Sequence, residues 1–246
     1  MNSTNKKIAV IGGGVAGLLA AVTAADAGAE VFLFEKMNRV GLKMGITGKG
    51  RCNITNSAPI TDFISKTPGN GKFLFSAYHK FSNTDLLDLF HTWGLETKVE
   101  RGGRVFPASD SAQEVRRLFM QLLEEKHVKL HLSEPVLHIL TENKKVIAVQ
   151  TEKGRYSVDT VILCTGGKSY PRTGSTGDGY AMAAELGHTI VPVRPALVPL
   201  VCKEPYCKEL QGLSLKNVTL SLSAGGRRKT EAFGEMLFTH FGVSGP

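Results

Sequence analysis

The sequence has 246 residues, a formal net charge of +8 and an ordinary hydrophobic share of 42%. That length fits one large domain, or one domain and part of a second. No apolar run approaches the roughly 18 residues a membrane helix needs, and the polar start MNSTNKKIAV lacks the apolar stretch of a signal peptide.

Four cysteines, Cys52, Cys164, Cys202 and Cys207, show no disulfide framework, and no zinc-type His/Cys pair follows the last two. A reducing cytoplasm is the expected compartment, with no metal and no membrane partner. The lysines and arginines are scattered; the densest runs are Lys6-Lys7, Arg116-Arg117 and Arg227-Arg228-Lys229. Scatter of this kind favours a solvated surface over a nucleic-acid footprint.

The first 36 residues carry the strongest signal. Ile8–Ile11 reads as a buried parallel strand. Gly12, Gly14 and Gly17 fit G-x-G-x-x-G, Val15–Ala27 reads as a helix, Gly28 ends it, and EVFLF forms a second strand closed by Glu35. Gly12 permits the tight turn, Gly14 lets a pyrophosphate approach the backbone, and Gly17 lets the helix pack on the sheet. The first-turn amides of Val15 and Ala16 face the phosphates with the positive end of the helix dipole. Glu35 suits the hydroxyls of an adenosine ribose, with Lys36 beside it, and its charge would repel a 2′-phosphate. The fingerprint predicts dinucleotide binding but does not separate NAD from FAD.

Next comes the loop GLKMGITGKGRCNITN. It is no P-loop, because neither Gly48-Lys49 nor Gly167-Lys168 has the required partners. Gly41, Gly45, Gly48 and Gly50 permit positive φ. Asn53 and Asn56 favour turns, and Arg51 can offer a planar fork to an anion. The loop leaves the same sheet edge as Glu35 and would suit the side of a planar, polar ring.

This loop resembles the signature of the HI0933-like or BaiN-like (aminoacetone-oxidase-like) FAD-dependent oxidoreductases, and the resemblance extends over essentially the whole chain. It departs from the pattern at Leu42, where a basic residue is usual, and at Gly45, where an apolar one is; Lys43 is retained. The resemblance implies that Lys43, Gly48, Arg51, Cys52 and Asn53 lie beside a flavin. It also implies that the backbone near Val136 passes the adenine.

Residues 57–125 read as a helical insertion. SNTDLLDLFHTWG predicts an amphipathic helix with Leu86, Leu89, Phe90 and Trp93 on one face. RGGRVFPAS predicts a hairpin at Gly102-Gly103. SAQEVRRLFMQLLEEK opens with Ser111 and Glu114 at capping-box spacing, and its stripe of Val115, Leu118, Phe119, Leu122 and Leu123 reads as core. Strands are expected at 128–132, 136–141 and 146–151, the last two joined around residues 142–144. A further pair is expected at 155–158 and 160–164. His131 and His138 read as structural or exposed.

DTVILCTGG repeats the strand-to-glycine logic with a buried strand at Val161–Cys164. Thr165, Gly166 and Gly167 resemble the second FAD-contact motif of glutathione-reductase-type flavoproteins. Cys164 reads as a buried, non-catalytic thiol. GSTGDGYAMAAELGH is similar to a segment of fumarate-reductase-like flavoproteins and places Asp178 where it can cap a helix; His188 reads as a residue just past that helix.

After residue 190 prolines and period-two alternation around Gly225-Gly226 announce a β-rich domain. Its strands are too few to bury two faces, so the chain reads as the N-terminal portion of a longer protein. The expected fold is α/β. Residues 1–190 form a Rossmann-type, glutathione-reductase-like FAD-binding domain with its insertion, and residues 191–246 begin the second domain. The resemblance implies hydride transfer between a small organic substrate and FAD, with NAD(P)H or oxygen as the external redox partner. An NAD-binding module without flavin and an RNA-associated flavoprotein are the alternatives. No catalytic acid or base is legible.

Overall fold

The computed structural model describes residues 6–245; most of the polar N-terminal stretch lies outside the described residues. The chain divides after Ile190 into two compact units.

In the first unit, β1 (Lys7–Ile11) runs into α1 (Val15–Asp26), and β2 (Glu30–Glu35) follows. Ala9 and Val10 are fully buried because helices and further strands cover both faces of a parallel sheet. The buried face of α1 is built from Gly17, Leu18, Ala21, Val22 and Ala24. Its small residues let the helix lie close to the sheet.

A three-stranded antiparallel sheet comes next: β3 (Thr55–Asn56), β4 (Thr97–Val99) and β5 (Arg104–Pro107), with β5 in the middle. Gly102 and Gly103, at φ 76° and 74°, turn β4 into β5. Three helices lie between β3 and β4 in the chain, α2 (Ile60–Lys66), α3 (Phe75–Lys80) and α4 (Asn83–Thr92), and α5 (Ala112–Glu125) follows β5. The rings of Phe90, Trp93 and Phe119 meet edge to face at 5.8–6.0 Å and lock α4 onto α5.

The capping box is at α4 and not at α5. Ser82 Oγ accepts from Asp85 N at 3.2 Å, and Asp85 Oδ2 accepts from Ser82 N at 2.7 Å. At α5, Ser111 holds the N-cap position without a side-chain bond. Ser109 Oγ donates to the Glu114 carboxylate instead.

Then β6 (Lys129–Leu132) pairs with β2 in parallel. The strands β7 (Val136–Glu142), β8 (Lys145–Thr151) and β9 (Arg155–Ser157) form an antiparallel sheet. Asn143 and Lys144, at φ 49° and 62°, make its first turn. The strand β10 (Thr160–Leu163) does not pair with β9 as the sequence suggested. It joins β1 in parallel and completes the order β10-β1-β2-β6. Asp159 makes the switch: its N–H donates to Lys7 O, and its Oδ2 accepts from Lys7 N, both at 2.8 Å. As a sheet edge, β10 is half-buried and not the buried strand expected; Leu163 is 37% exposed. The unit ends with α6 (Asp178–Glu185).

In the second unit, β11 (Leu200–Val201), α7 (Tyr206–Glu209), β12 (Ser214–Ala224), β13 (Arg227–Thr239) and β14 (Gly242–Ser244) form one antiparallel sheet flanked by a short helix. Its strand order is β11-β14-β13-β12. Gly225 and Gly226, at φ 59° and 72°, close the long β12–β13 hairpin. Among the described residues no helix is long and apolar enough to cross a membrane, and no group of His, Cys, Asp and Glu could hold a metal ion.

Candidate cofactor site

The turn after β1 is shaped by two contacts that only glycine permits. Gly12 stands at φ 106°, and a Cβ there would lie 2.4 Å from Cys164 O. A Cβ on Gly17 would lie 1.8 Å from Gly12 O. The turn is thus pressed between α1 and the exit of β10. At Gly14, by contrast, a Cβ would meet nothing within 4 Å. The first backward bond of α1 runs from Leu18 N to Gly14 O at 2.9 Å. The amides of Val15, Ala16 and Gly17 therefore have no acceptor within the helix.

Glu35 is 9% exposed and turned toward this loop. Its Oε2 accepts from Gly13 N at 2.7 Å and its Oε1 from Met37 N at 2.8 Å. Each carboxylate oxygen can accept a second bond, so both retain capacity for a ligand hydroxyl. Gly13, which the fingerprint leaves unspecified, is also constrained, unlike Gly14. A Cβ there would sit 2.8 Å from Val40 Cγ1 and 3.1 Å from Glu35 Oε2.

Gly41 N donates to Gly13 O at 2.9 Å and ties the second loop to the first. Gly48, Lys49, Gly50 and Cys52 all have positive φ. A Cβ on Gly48 would approach Phe106 Cε1 to 2.5 Å. Arg51 does not present its fork to an anionic ligand. Its Nη1 pairs with Glu100 at 2.7 Å and Asp110 at 3.3 Å, its Nε donates to Gly48 O at 3.2 Å, and its guanidinium lies 4.1 Å from the centre of the Phe106 ring. It pins the loop to the β4–β5 hairpin. Cys52 is buried, and burial pushes its thiol up to about 11 against a lowering bond to Thr47. It is a neutral group at neutral pH. With its amide nitrogen turned inward, Asn53 donates to Thr55 O at 3.1 Å and Val105 O at 3.3 Å.

The second turn closes on the first. Gly166 is at φ 74°, and a Cβ there would be 2.9 Å from Ser175 Oγ; one on Gly179 of α6 would be 2.2 Å from Thr165 Oγ1. Gly177 is the N-cap of α6, and Asp178 is its first helical residue. Lys36 Nζ reaches it, donating to Asp178 Oδ2 at 2.6 Å and Thr176 Oγ1 at 2.5 Å. Burial works to raise the Asp178 carboxyl, but the bonds from Lys36 and Thr176 hold it below the usual range. Lys43 Nζ reaches Ser169 Oγ at 3.3 Å.

These pieces enclose one cavity of about 700 Å³. It brings together Gly12, Gly14, Val15, Ala16, Glu35 and Lys36 from the first unit of the motif. Lys43, Cys52, Asn53, Val136, Thr165 and Gly166 line it from later in the chain. Gly17, Gly48, Arg51 and Gly167 lie outside the lining; the first three shape or brace its walls. The sequence reading missed Gly13, Gly174, Ser175 and the role of Asp178. The dense glycine spacing of PRTGSTGDG was the available signal. Leu86, Phe90, Val115 and Phe119, read as core, are core and also form an apolar end wall.

Residues 6–244 match the family model described as the HI0933-like protein Rossmann domain. The chain belongs to this family. One HI0933-like relative, the 3-dehydro-bile acid delta(4,6)-reductase of Clostridium scindens, is 37% identical over 97% of this chain and 58% of its own length. Another, the ribosomal RNA dihydrouridine synthase of Escherichia coli, is 30% identical over 96% of this chain and 58% of its own. The chain thus spans well under two thirds of either relative. An RNA-directed relative reopens the nucleic-acid question that scattered charge had argued against. The fold is shared with a flavocytochrome c3 fumarate reductase, at a TM-score of 0.55 and 19% identity over 87% of this chain and 47% of that one. A Rhodococcus jostii 3-ketosteroid-delta4-(5alpha)-dehydrogenase also has a TM-score of 0.55, at 15% identity over 76% and 55%.

Proposed function

We propose that the protein is an FAD-dependent oxidoreductase that reduces a carbon–carbon double bond in an organic substrate. The observation that carries the reading is the Glu35 carboxylate, turned onto the glycine turn at the edge of a cavity of about 700 Å³. The residues fit a dinucleotide. Gly14 leaves open the space a phosphate would need, the first-turn amides of α1 lack acceptors within the helix, and Glu35 keeps lone pairs for a ribose.

In this reading Gly12–Gly17 hold the pyrophosphate and Glu35 holds the adenosine ribose. The backbone at Val136 meets the adenine. Lys43, Cys52, Asn53, Thr165 and Gly166 border the flavin. Bound FAD would supply hydride exchange with the substrate; the protein positions it and keeps water out. Cys52, neutral at working pH, contributes no charge to that wall. NAD(P)H is the proposed external donor.

The double-bond reading is supported by the relatives, one named a delta(4,6)-reductase and the other a synthase of dihydrouridine. A second reading, with RNA as the substrate-bearing partner, is supported by the latter name. The test is the visible spectrum of the purified protein, followed by anaerobic mixing of its reduced flavin with enones, uridine-containing RNA and imines. A colourless protein that FAD does not reconstitute would end the flavin reading. Reoxidation by imines alone would end the double-bond reading.

A further inference from the structure

Residues 68–81, PGNGKFLFSAYHKF, take no part in the cavity. They contain Lys72, His79 and Lys80 and no acidic residue. Phe73 is 79% exposed, Phe75 54% and Phe81 42%. Only four phenylalanines are exposed among the described residues, so three of them fall within this one stretch. Single exposed apolar residues are ordinary, but a cluster marks a surface that meets a partner.

The local geometry presents flat rings. Phe75 stacks on His79 with centroids 4.0 Å apart and planes at 28°. His79 Nδ1 lies 2.8 Å from Phe75 O, which fixes the pair along one face of α3. Phe73 precedes it in the turn Gly71–Leu74. Lysines bracket the rings at positions 72 and 80.

We propose that this surface binds single-stranded RNA, with Phe73 and Phe75 as stacking rings for bases and Lys72 and Lys80 on the phosphates. Aromatic rings interleaved with lysines suit a flexible strand, since every base offers a π-face. A membrane surface fits less well. In α3, Phe75 and Tyr78 stand among Ser76, Ala77, His79 and Lys80, and Tyr78 is half-buried against the Phe63 ring, whereas an interfacial helix needs a broad apolar face. A second copy of the chain fits less well again. A twofold contact through this patch would bring its lysines, which have no acidic residue nearby in the stretch, against their own copies. The proposal rests on the RNA reading above for its choice of nucleic acid. Binding is read without redox turnover, so its failure is separable from failure of the flavin reading.

The experiment measures fluorescence anisotropy of a labelled oligouridylate against the full-length protein over a range of salt. Phe73→Ala is expected to weaken binding about 5- to 100-fold, the loss of one stacked base. The double variant Lys72→Gln, Lys80→Gln is expected to flatten the slope of log K against log salt by about 1.4. Both variants should keep the parent's thermal midpoint, because the altered side chains are exposed. Absence of RNA binding at low salt, or equal binding by parent and both variants, would overturn the proposal. So would capture by phosphatidylserine vesicles, or a dimer in sedimentation, that Phe73→Ala abolishes while RNA binding persists.

Discussion

Gly13 N and Glu35 Oε2 lie 2.7 Å apart, so the backbone of the first glycine turn and the side chain that closes β2 hold each other in place. Met37 N holds the other carboxylate oxygen at 2.8 Å. The acid is therefore held in one position, and an acceptor fixed in this way would lose little entropy on binding.

This predicts the outcome of Glu35→Gln. An amide nitrogen would face Gly13 N–H or Met37 N–H, two donors opposed. Loss of charge-assisted hydrogen bonds costs about 1.5–3 kcal/mol, so affinity for FAD should fall roughly 10- to 100-fold. Titration of the apoprotein with FAD measures it. Unchanged affinity would show that the ribose lies elsewhere.

The two glycines Gly14 and Gly17 should separate binding from folding. Gly17→Ala forces a Cβ to within 1.8 Å of Gly12 O, a backbone atom that cannot swing away. Overpacking of this kind costs about 1–3 kcal/mol or more, and the thermal midpoint should drop. Gly14→Ala meets no protein atom within 4 Å. Its midpoint should move little while FAD retention is lost. A similar drop in midpoint for both variants would contradict the model of the turn.

Glu134 should govern acid stability. It is buried, and burial works to raise its carboxyl. Hydrogen bonds from Thr151, Tyr156, His131 and Lys153 outweigh that and bring it down to about 2. A lowered carboxyl contributes stability above its ordinary value of 4.5 that disappears as pH falls from there toward 2. Urea unfolding should show a parent-minus-variant gap for Glu134→Gln of up to about 3 kcal/mol near neutrality, narrowing below pH 4. A gap independent of pH would mean that the charge is not what matters.

Cys52 should behave in the opposite direction. Its thiol is raised from 9 to about 11 by burial. Below pH 9 it is protonated in both folded and unfolded chains. Between 9 and 11 only the unfolded chain ionises, so stability contributed by this site falls as pH rises through that window. The native thiol should also resist alkylation at pH 8 and react readily once urea unfolds the protein. Rapid modification of the folded protein would place Cys52 at the surface.

Much of this site could be read along the chain because its logic is local. Gly12, Gly14, Gly17 and Glu35 follow one another in a single strand–turn–helix–strand unit, and each spacing has one geometric meaning. The protein partners of Arg51 were not legible because Glu100 and Asp110 are 49 and 59 residues away. The ion pair of Asp178 was not legible because Lys36 comes from 142 residues earlier. The β9–β10 pairing failed for a related reason. Both segments have strand composition, but β9 pairs with its neighbour β8 while β10 pairs with β1 from the start of the chain.

The sequence by itself determined the glycine turn, the acid beside it and the α/β class, since backbone conformation and hydrophobic period are properties of neighbouring residues. Tertiary structure alone decided which polar side chains are spent on each other and which still face the cavity. A charge seeks the nearest opposite charge in space, and separation along the chain does not say where that is.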